Sequence, residues 1–356
     1  MRRGRPGFSL VELLVVLAII VLVISIIVPA LGRVRNAARK QDTRSRVEEL
    51  TKAMQLFTLD NRRTPGYFTQ AEMGMVDNAT RGFSQSQNVM LDLAGGITTQ
   101  TGAGIVSVGP MNDANKRVNV NVNLSGTGNS GSAQGINKAA YYNPGDKYYR
   151  KQDGVEGGDR TGVPEHAQLP ELIDANGAPL LLWVADSVAT GPINVPTDFA
   201  RDQWALNNPP ARFYWNSNAA MLNGSPGIGT RRILQSGTSG SLLHQSVPGK
   251  SISLVGLLGN PGSPKAFTNA DALPAILPSA SRGAFLIQSA GEDGVYLGKV
   301  DRGGKQLSTP PLPVAQTLYY GLNFRNPDNT PITDSNGNTK SADVIENFDD
   351  VISWGS

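Results

Sequence analysis

The chain has 356 residues and no cysteine, which excludes a disulfide framework, a thiolate zinc site and a cysteine nucleophile. Its 40 glycines and 23 prolines make it rich in turns, although it stays below the roughly 25–30% of Gly and Pro that marks a low-complexity chain. Two histidines, His166 and His244, have no recognisable catalytic motif around them, so no enzyme is predicted. Each histidine is interpreted as a surface residue on a loop.

The charge of the chain is concentrated at its start. The formal net charge is +3 and the isoelectric point is about 9.0. Three of the 32 Lys and Arg residues are Arg2, Arg3 and Arg5, and without them 29 basic residues balance 29 acidic ones. The basic isoelectric point therefore belongs largely to a short leader, and no nucleic-acid binding is inferred.

Residues 8–31 read FSLVELLVVLAIIVLVISIIVPAL, an almost unbroken apolar run. As an α-helix this run rises about 36 Å, which is enough to cross a hydrocarbon core of about 30 Å. The leader arginines predict a cytoplasmic N-terminus with the rest of the chain outside. An ordinary secretory signal is the alternative, but the run is longer than a typical signal and contains the charged residue Glu12.

Glu12 requires a partner, because an ionised carboxylate within a membrane costs several kcal/mol unless it is paired. A cut between Gly7 and Phe8 would create a new α-amino group one turn away. If the amine of one chain neutralised Glu12 of a neighbouring chain, the pair would fix an axial register. The alternative is that Glu12 simply extends to the cytoplasmic surface.

The segment at residues 7–20, GFSLVELLVVLAII, closely resembles the type IV prepilin signature, which type IV pilins share with the pseudopilins of type II secretion systems. The resemblance implies a leader of residues 1–7, cleavage after Gly7 by a prepilin peptidase, N-methylation of Phe8 and a role for Glu12 in assembly. Pro29 lies where such helices commonly carry a proline. Because proline removes one backbone hydrogen bond, a kink is expected there.

The helix is predicted to continue beyond the membrane as an amphipathic extension over residues 32–63. Residues 33–62 contain neither Pro nor Gly, and four apolar residues are spaced 3, 4 and 3 apart: Val47, Leu50, Met54 and Phe57. This narrow stripe is predicted to pack on the head of the same chain. Pro65 and Gly66 then end the helix.

Six basic residues and a single acid, Asp42, lie between positions 33 and 46. The basic residues are Arg33, Arg35, Arg39, Lys40, Arg44 and Arg46. Phosphate headgroups before assembly, an acidic surface of a neighbouring subunit after it, and solvent are the alternative partners.

Residues 64–356 are predicted to form a β-rich head with an antiparallel sheet, which makes the fold class α+β. Residues 118–124, VNVNVNL, alternate strictly and predict a strand with one buried face. Residues 125–135 are predicted to be a flexible loop or hairpin tip. Further strands are predicted at 180–185, 212–215, 253–257, 283–288 and 318–323.

Three stretches of the head resemble the G-type pseudopilins. Residues 174–183 resemble the approach to a strand, residues 285–294 resemble a strand followed by a turn, and residues 349–354 resemble the family's C-terminal acidic pair and tryptophan. Together they imply a G-type-like pseudopilin with an enlarged head.

A calcium site is predicted near the C-terminus, although no cofactor is required. Residues 326–356 contain six acids and one base, and such crowding is unfavourable unless the acids are solvated or joined by a cation. Asp293, Asp349 and Asp350 are the predicted ligands, and Ca²⁺ prefers such oxygen donors. The resemblance to G-type pseudopilins also implies calcium there, and a solvated acidic surface is the alternative.

The sequence thus predicts a structural subunit of a type II secretion pseudopilus, anchored in the bacterial inner membrane with its head in the periplasm. The implied partners are further copies of the chain in a helical filament, other pseudopilins, the prepilin peptidase and an inner-membrane assembly platform. The filament would be periplasmic or extracellular. A type IV or DNA-uptake pilin is one alternative, and a membrane-anchored binding protein that does not polymerise is another.

Overall fold

The computed structural model describes residues 10–122, 140–145, 148–151, 162–222, 240–244, 249–260, 263, 265, 277–298 and 348–355. The described chain begins in one helix of 52 residues, α1 (Leu10–Asn61), which stays α-helical through Pro29. A helix of this length rises about 78 Å. Residues 10–35 are exposed to solvent in the isolated chain, whereas the second half of α1 packs on the head. The kink at Pro29 stays a prediction.

The apolar stripe of α1 attaches the helix to the head. Val47, Leu50, Met54 and Phe57 are at most 4% exposed, and they pack against apolar residues of the head such as Leu182. This packing confirms the prediction from their spacing. Burying a side chain of this size contributes about 1.5–3 kcal/mol, so the stripe holds α1 firmly.

Seven shorter helices and ten strands follow α1 in the described residues. The helices are α2 (Gln70–Met73), α3 (Val76–Arg81), α4 (Gln85–Leu93), α5 (Pro164–Ala167), α6 (Pro196–Phe199), α7 (Ala219–Leu222) and α8 (Gly249–Leu258). The strands are β1 (Ile97–Thr98), β2 (Ile105–Val108), β3 (Val118–Asn121), β4 (Tyr149–Lys151), β5 (Pro170–Leu172), β6 (Leu181–Val184), β7 (Ala200–Arg201), β8 (Phe213–Tyr214), β9 (Phe285–Gln288) and β10 (Ile352–Gly355).

The central sheet has the strand order β10-β9-β6, and both of its pairings are antiparallel. In this register Leu286 lies between Trp183 and Trp354. Side chains alternate across a strand, so Leu182 points to the cluster beneath α1 while Leu181 and Trp183 point to a cluster formed with α7 and α8. Because both faces are covered, β6 is a continuous apolar run.

Smaller sheets complete the head. The strands β1-β3-β2 form an antiparallel sheet, which packs with α2 and α4 around Met73 and Phe83. The strands β4 and β5 pair antiparallel, and the two-residue strands β7 and β8 pair parallel. The head is therefore an α+β structure in which antiparallel pairing predominates, as the sequence predicts.

The structure confirms four of the predicted strands and corrects a fifth. Strands lie at 118–121, 181–184, 213–214 and 285–288. Residues 253–257 belong instead to α8, where Leu254, Leu257 and Leu258 are buried. The reason is that an apolar run buried on most sides carries no readable period. The predicted strand at 318–323 and the predicted loop at 125–135 lie outside the described residues.

Candidate functional site

The N-terminal segment carries the residues predicted for processing and assembly. Gly7 and Phe8 lie outside the described residues. Glu12 lies in the first turn of α1 and is exposed at the side of the helix. A carboxylate in the first turn interacts favourably with the positive end of the helix dipole, and its role in assembly stays a prediction.

The first half of α1 is apolar around its whole circumference. The large apolar side chains from Leu10 to Val34 are 43–80% exposed, and the helix is long and apolar enough to cross a membrane. A helix that is apolar on all sides has to be covered by lipid or by other helices. This segment therefore needs a bilayer or neighbouring subunits around it.

Within the described residues, the first side-chain hydrogen bond between α1 and the head lies five residues beyond the end of the apolar run at Leu31. There the side-chain amide of Asn36 donates a hydrogen bond to the carboxylate of Glu292. Next to this contact lies a polar cavity of about 140 Å³, with Lys40, Thr43 and Asp349 in its wall. A helix rises 1.5 Å per residue, so the base of the head stands about 7.5 Å beyond Leu31.

The three stretches that resemble G-type pseudopilins meet at this base. Their strands are β6, β9 and β10 of the central sheet. Ser289 Oγ donates to Asp174 Oδ2 at 2.7 Å, which joins the first stretch to the second. The backbone amide of Asp293 donates to Asp349 Oδ2 at 2.9 Å, which joins the second stretch to the third. Segments more than 50 residues apart thus form one unit.

Asp349 and Asp350 use their carboxylates to hold the turn after β9. Asp349 Oδ2 accepts hydrogen bonds from the backbone amides of Glu292 and Asp293. Asp350 Oδ2 accepts from Gln288 Nε2 at 2.7 Å and from the backbone amide of Leu297 at 2.8 Å. The two carboxylates therefore accept hydrogen bonds from backbone amides of the turn, a role that backbone carbonyl groups play in regular structure.

These residues do not by themselves complete a calcium site. Within the described ranges no group of three or more His, Asp or Glu side chains is placed to hold a metal ion, whereas Ca²⁺ takes six to eight oxygen ligands. One oxygen of Asp349 and one of Asp350 already accept two hydrogen bonds each. Calcium binding by Asp293, Asp349 and Asp350 stays a prediction.

Among the three predicted ligands, Asp293 is the one whose ionised side chain is disfavoured by its surroundings. Burial, and secondarily the nearby Asp349, raise the pKa of Asp293 to about 6. The ordinary value for Asp is about 3.9, so the ionised side chain costs stability above pH 6, and this cost disappears as the pH falls below 4.

We expect Asp293→Asn to stabilise the metal-free chain at pH 7.5 by about 1 kcal/mol, a value reduced for the partial exposure of the group. The amide oxygen of Asn still accepts the hydrogen bond that Asp293 Oδ1 takes from Val295 N at 2.7 Å. The measurement is thermal unfolding of the full chain in a non-ionic detergent with a chelator. At pH 4 the two proteins should unfold at the same temperature, and a lower midpoint for the variant at pH 7.5 would contradict the expectation.

The same measurement tests calcium. A ligand that binds only the native state raises the midpoint in a concentration-dependent way. If Asp293, Asp349 and Asp350 bind calcium, millimolar calcium must raise the midpoint of the natural chain, and Asp349→Ala with Asp350→Ala must abolish the rise. No rise, or a rise that survives the double substitution, removes these residues from the site.

The two histidines contact the backbone. His166 lies in α5 and is fully buried, so its prediction as a surface residue is wrong. Its Nδ1 lies 2.8 Å from the carbonyl oxygen of Arg81, and its Nε2 accepts from the amide of Gly109 at 3.2 Å. His244 is partly buried, with Nδ1 3.0 Å from the carbonyl oxygen of Leu222. The sequence contains no apolar period around either residue that signals this burial.

Comparison with protein families finds the prokaryotic N-terminal methylation motif at residues 2–28. No curated protein and no solved structure matches the chain. The motif spans the basic leader, Gly7, Phe8, Glu12 and most of the apolar run. Together with the exposed apolar half of α1, it supports a type IV pilin-like family for this chain.

Proposed function

We propose that the chain is a structural subunit of a type II secretion pseudopilus. The observation that carries the proposal is the apolar first half of α1, which is wholly exposed in the isolated chain and coincides with the methylation motif. Prepilin-type proteins are generally structural rather than enzymatic. The work of this chain is therefore polymerisation.

The geometry supports a simple sequence of events. Prepilin peptidase removes residues 1–7, and α1 then anchors the chain in the inner membrane in a single pass with the head in the periplasm. On assembly the helix leaves the bilayer and its apolar surface becomes buried among the helices of neighbouring subunits. Burial contributes about 25 cal/mol per Å² of apolar surface removed from water. Because this contribution is large over the whole segment, its apolar surface stays covered by lipid before assembly and by neighbouring helices after it.

The central sheet supports secretion over the other prepilin-type functions. The three stretches that resemble G-type pseudopilins are scattered over some 180 residues of sequence, yet they form the strands β6, β9 and β10 and the adjoining turn. Independent chance resemblances have no reason to meet in one sheet. A type IV or DNA-uptake pilin is the second candidate, because the methylation motif supports it equally.

Deletion of the gene tests the choice. A pseudopilin gives loss of exoprotein release with normal twitching and DNA uptake. A type IV or DNA-uptake pilin gives the reverse. If all three activities persist, the chain is an anchored protein that does not act through either filament.

Processing gives a direct prediction. In cells with active prepilin peptidase, the chain should have the mass of residues 8–356 plus one methyl group, because the methylation motif covers the cleavage position. Intact-mass analysis of the membrane fraction measures this, and a peptidase-deficient strain provides the uncleaved control. Residues 1–7 still attached in the active strain would contradict the prediction.

A further inference from the structure

A group of basic residues surrounds α1 just beyond its apolar segment. Arg33 and Arg35 are exposed, and Arg39 and Lys40 are partly buried. We call these four residues the basic collar. None of their side chains forms an ion pair or a hydrogen bond with another residue in the described part of the chain. Arg33 and Arg35 therefore present their charges fully to whatever surrounds the helix, whereas Arg39 and Lys40 do so in part.

The collar lies at the depth of a membrane surface. Arg33 follows Glu12 by 21 residues, which is about 32 Å of helix, close to the hydrocarbon thickness of about 30 Å. At 3.6 residues per turn, Arg33 and Lys40 lie on one side of the helix and Arg35 and Arg39 on the opposite side. Long basic side chains extend back towards an interface, so the group encircles the helix at the headgroups.

The base of the head lies at the end of the collar that is farther from the apolar segment. In the described part of the chain, the first side-chain hydrogen bond between α1 and the head joins Asn36 to Glu292, and Asn36 directly follows Arg35. The collar therefore begins in the short interval between the apolar segment and the base of the head. A membrane that holds the apolar segment places its headgroups in the same interval.

Once the leader is removed, the collar contains the first basic side chains of the chain, and they directly follow the apolar segment. Residues 8–32 contain neither Lys nor Arg. Moving the collar into the hydrocarbon is costly, since a charged side chain there costs several kcal/mol. The collar consequently stops α1 from sliding towards the cytoplasm.

We propose that the collar binds the phosphate groups of anionic phospholipids in the leaflet that faces the head. Arginine suits this role because its planar guanidinium pairs with phosphate through two hydrogen bonds. The contact sets the depth of α1 and holds the head on the membrane until the subunit is withdrawn. The inference rests on the membrane insertion of α1 and does not require polymerisation.

The test compares lipid binding by the full-length chain and two double variants in a non-ionic detergent. Native mass spectrometry counts bound phosphatidylglycerol and phosphatidylethanolamine. One variant carries Arg33→Gln with Arg35→Gln, and the matched control carries Lys52→Gln with Lys116→Gln, which replaces two exposed lysines far from the collar. A basic residue beside an anionic surface strengthens binding about fivefold.

We expect the natural chain to prefer phosphatidylglycerol and the binding of that lipid to fall about 25-fold in the collar variant, given the fivefold contribution of each residue. Binding of phosphatidylethanolamine should not change, the control variant should behave as the natural chain does, and 0.5 M NaCl should weaken the preference because exposed charges are screened.

Equal phosphatidylglycerol binding by the collar variant and the natural chain overturns the proposal, and so does an equal loss in the control. Loss of cross-links between copies with lipid binding intact would assign the collar to an acidic surface of a neighbouring subunit instead. A chain that binds phosphatidylglycerol through the collar yet never polymerises would support the collar and contradict only the proposed filament function.

Discussion

Glu12→Val is expected to insert into the membrane and be cleaved normally, yet to lose assembly by more than a hundredfold. Insertion survives because the substitution makes α1 more apolar. Assembly fails because the amine at Phe8 of one subunit then lies in the filament core without a counter-charge. Breaking a buried ion pair by removing one partner costs about 3–5 kcal/mol, and each 1.4 kcal/mol changes an equilibrium constant tenfold.

Ser25→Val is the matched control for Glu12→Val. Ser25 lies in the same exposed apolar segment, and its hydroxyl donates to the carbonyl oxygen of Leu22 at 2.7 Å within the same helix. It therefore needs no partner from a neighbouring chain, and its replacement should leave assembly unchanged. Cross-linking of copies in intact cells measures both variants. Filaments of Glu12→Val at the natural level would reduce Glu12 to a tolerated charge at the membrane surface.

The parts of the fold that could be predicted are those in which a local sequence pattern matches a single kind of surroundings. The segment at residues 8–31 is apolar on every side, so its need for a membrane or a bundle follows from composition. The spacing of Val47, Leu50, Met54 and Phe57 has a single helical reading, and all four are buried against the head. The strands β6 and β9 were predictable because β6 is an unbroken apolar run and β9 is apolar up to its last residue, Gln288.

The features that were not predictable depend on distant partners. Residues 253–257 of α8 were predicted to be a strand because this run is buried on most sides and carries no helical period. The joining of Asp349 to the turn at Glu292 and Asp293 depends on a contact across more than 50 residues. A resemblance pointed to these positions, but no local pattern shows that a carboxylate accepts hydrogen bonds from backbone amides there.

His166 was misassigned for the same reason, and its burial leads to the second large expected effect. The residues that enclose it come from α3, from the segment after β2 and from α4. Its ring packs against Phe83 with a centroid distance of 5.1 Å, and Gln87 Nε2 donates to its carbonyl oxygen at 2.8 Å. A single histidine on a short helix gives no local sign of these contacts.

Only the neutral ring of His166 satisfies both of its hydrogen bonds. The amide of Gly109 donates to Nε2, so that nitrogen carries no proton, and Nδ1–H donates to the carbonyl oxygen of Arg81. The partner groups fix this tautomer. Protonation of Nε2 would bring two N–H groups face to face in a fully buried position, which forfeits a hydrogen bond and leaves a charge without solvent.

A buried cation lies in the same cluster as His166. The guanidinium of Arg81 is buried in the same cluster and donates to the carbonyl oxygen of Gly109 at 2.9 Å. Burial, and secondarily the neighbouring Arg117, lower the pKa of Arg81. The acids of this region are Asp77 and Glu165, which attract Arg81, and the buried Glu171, which accepts from Ser84 Oγ at 2.7 Å.

His166→Gln should therefore destabilise the head by about 1–3 kcal/mol. At least one of the two backbone groups that contact the ring then loses its hydrogen-bond partner in a fully buried position.

Denaturant unfolding of the full chain in a non-ionic detergent at pH 7.5, followed by fluorescence of the buried Trp183 and Trp215, measures this loss. His244→Gln is the control, because it replaces the other histidine of the chain at a partly buried position, and it should lose less stability. Equal stability of His166→Gln and the natural chain would contradict the expectation.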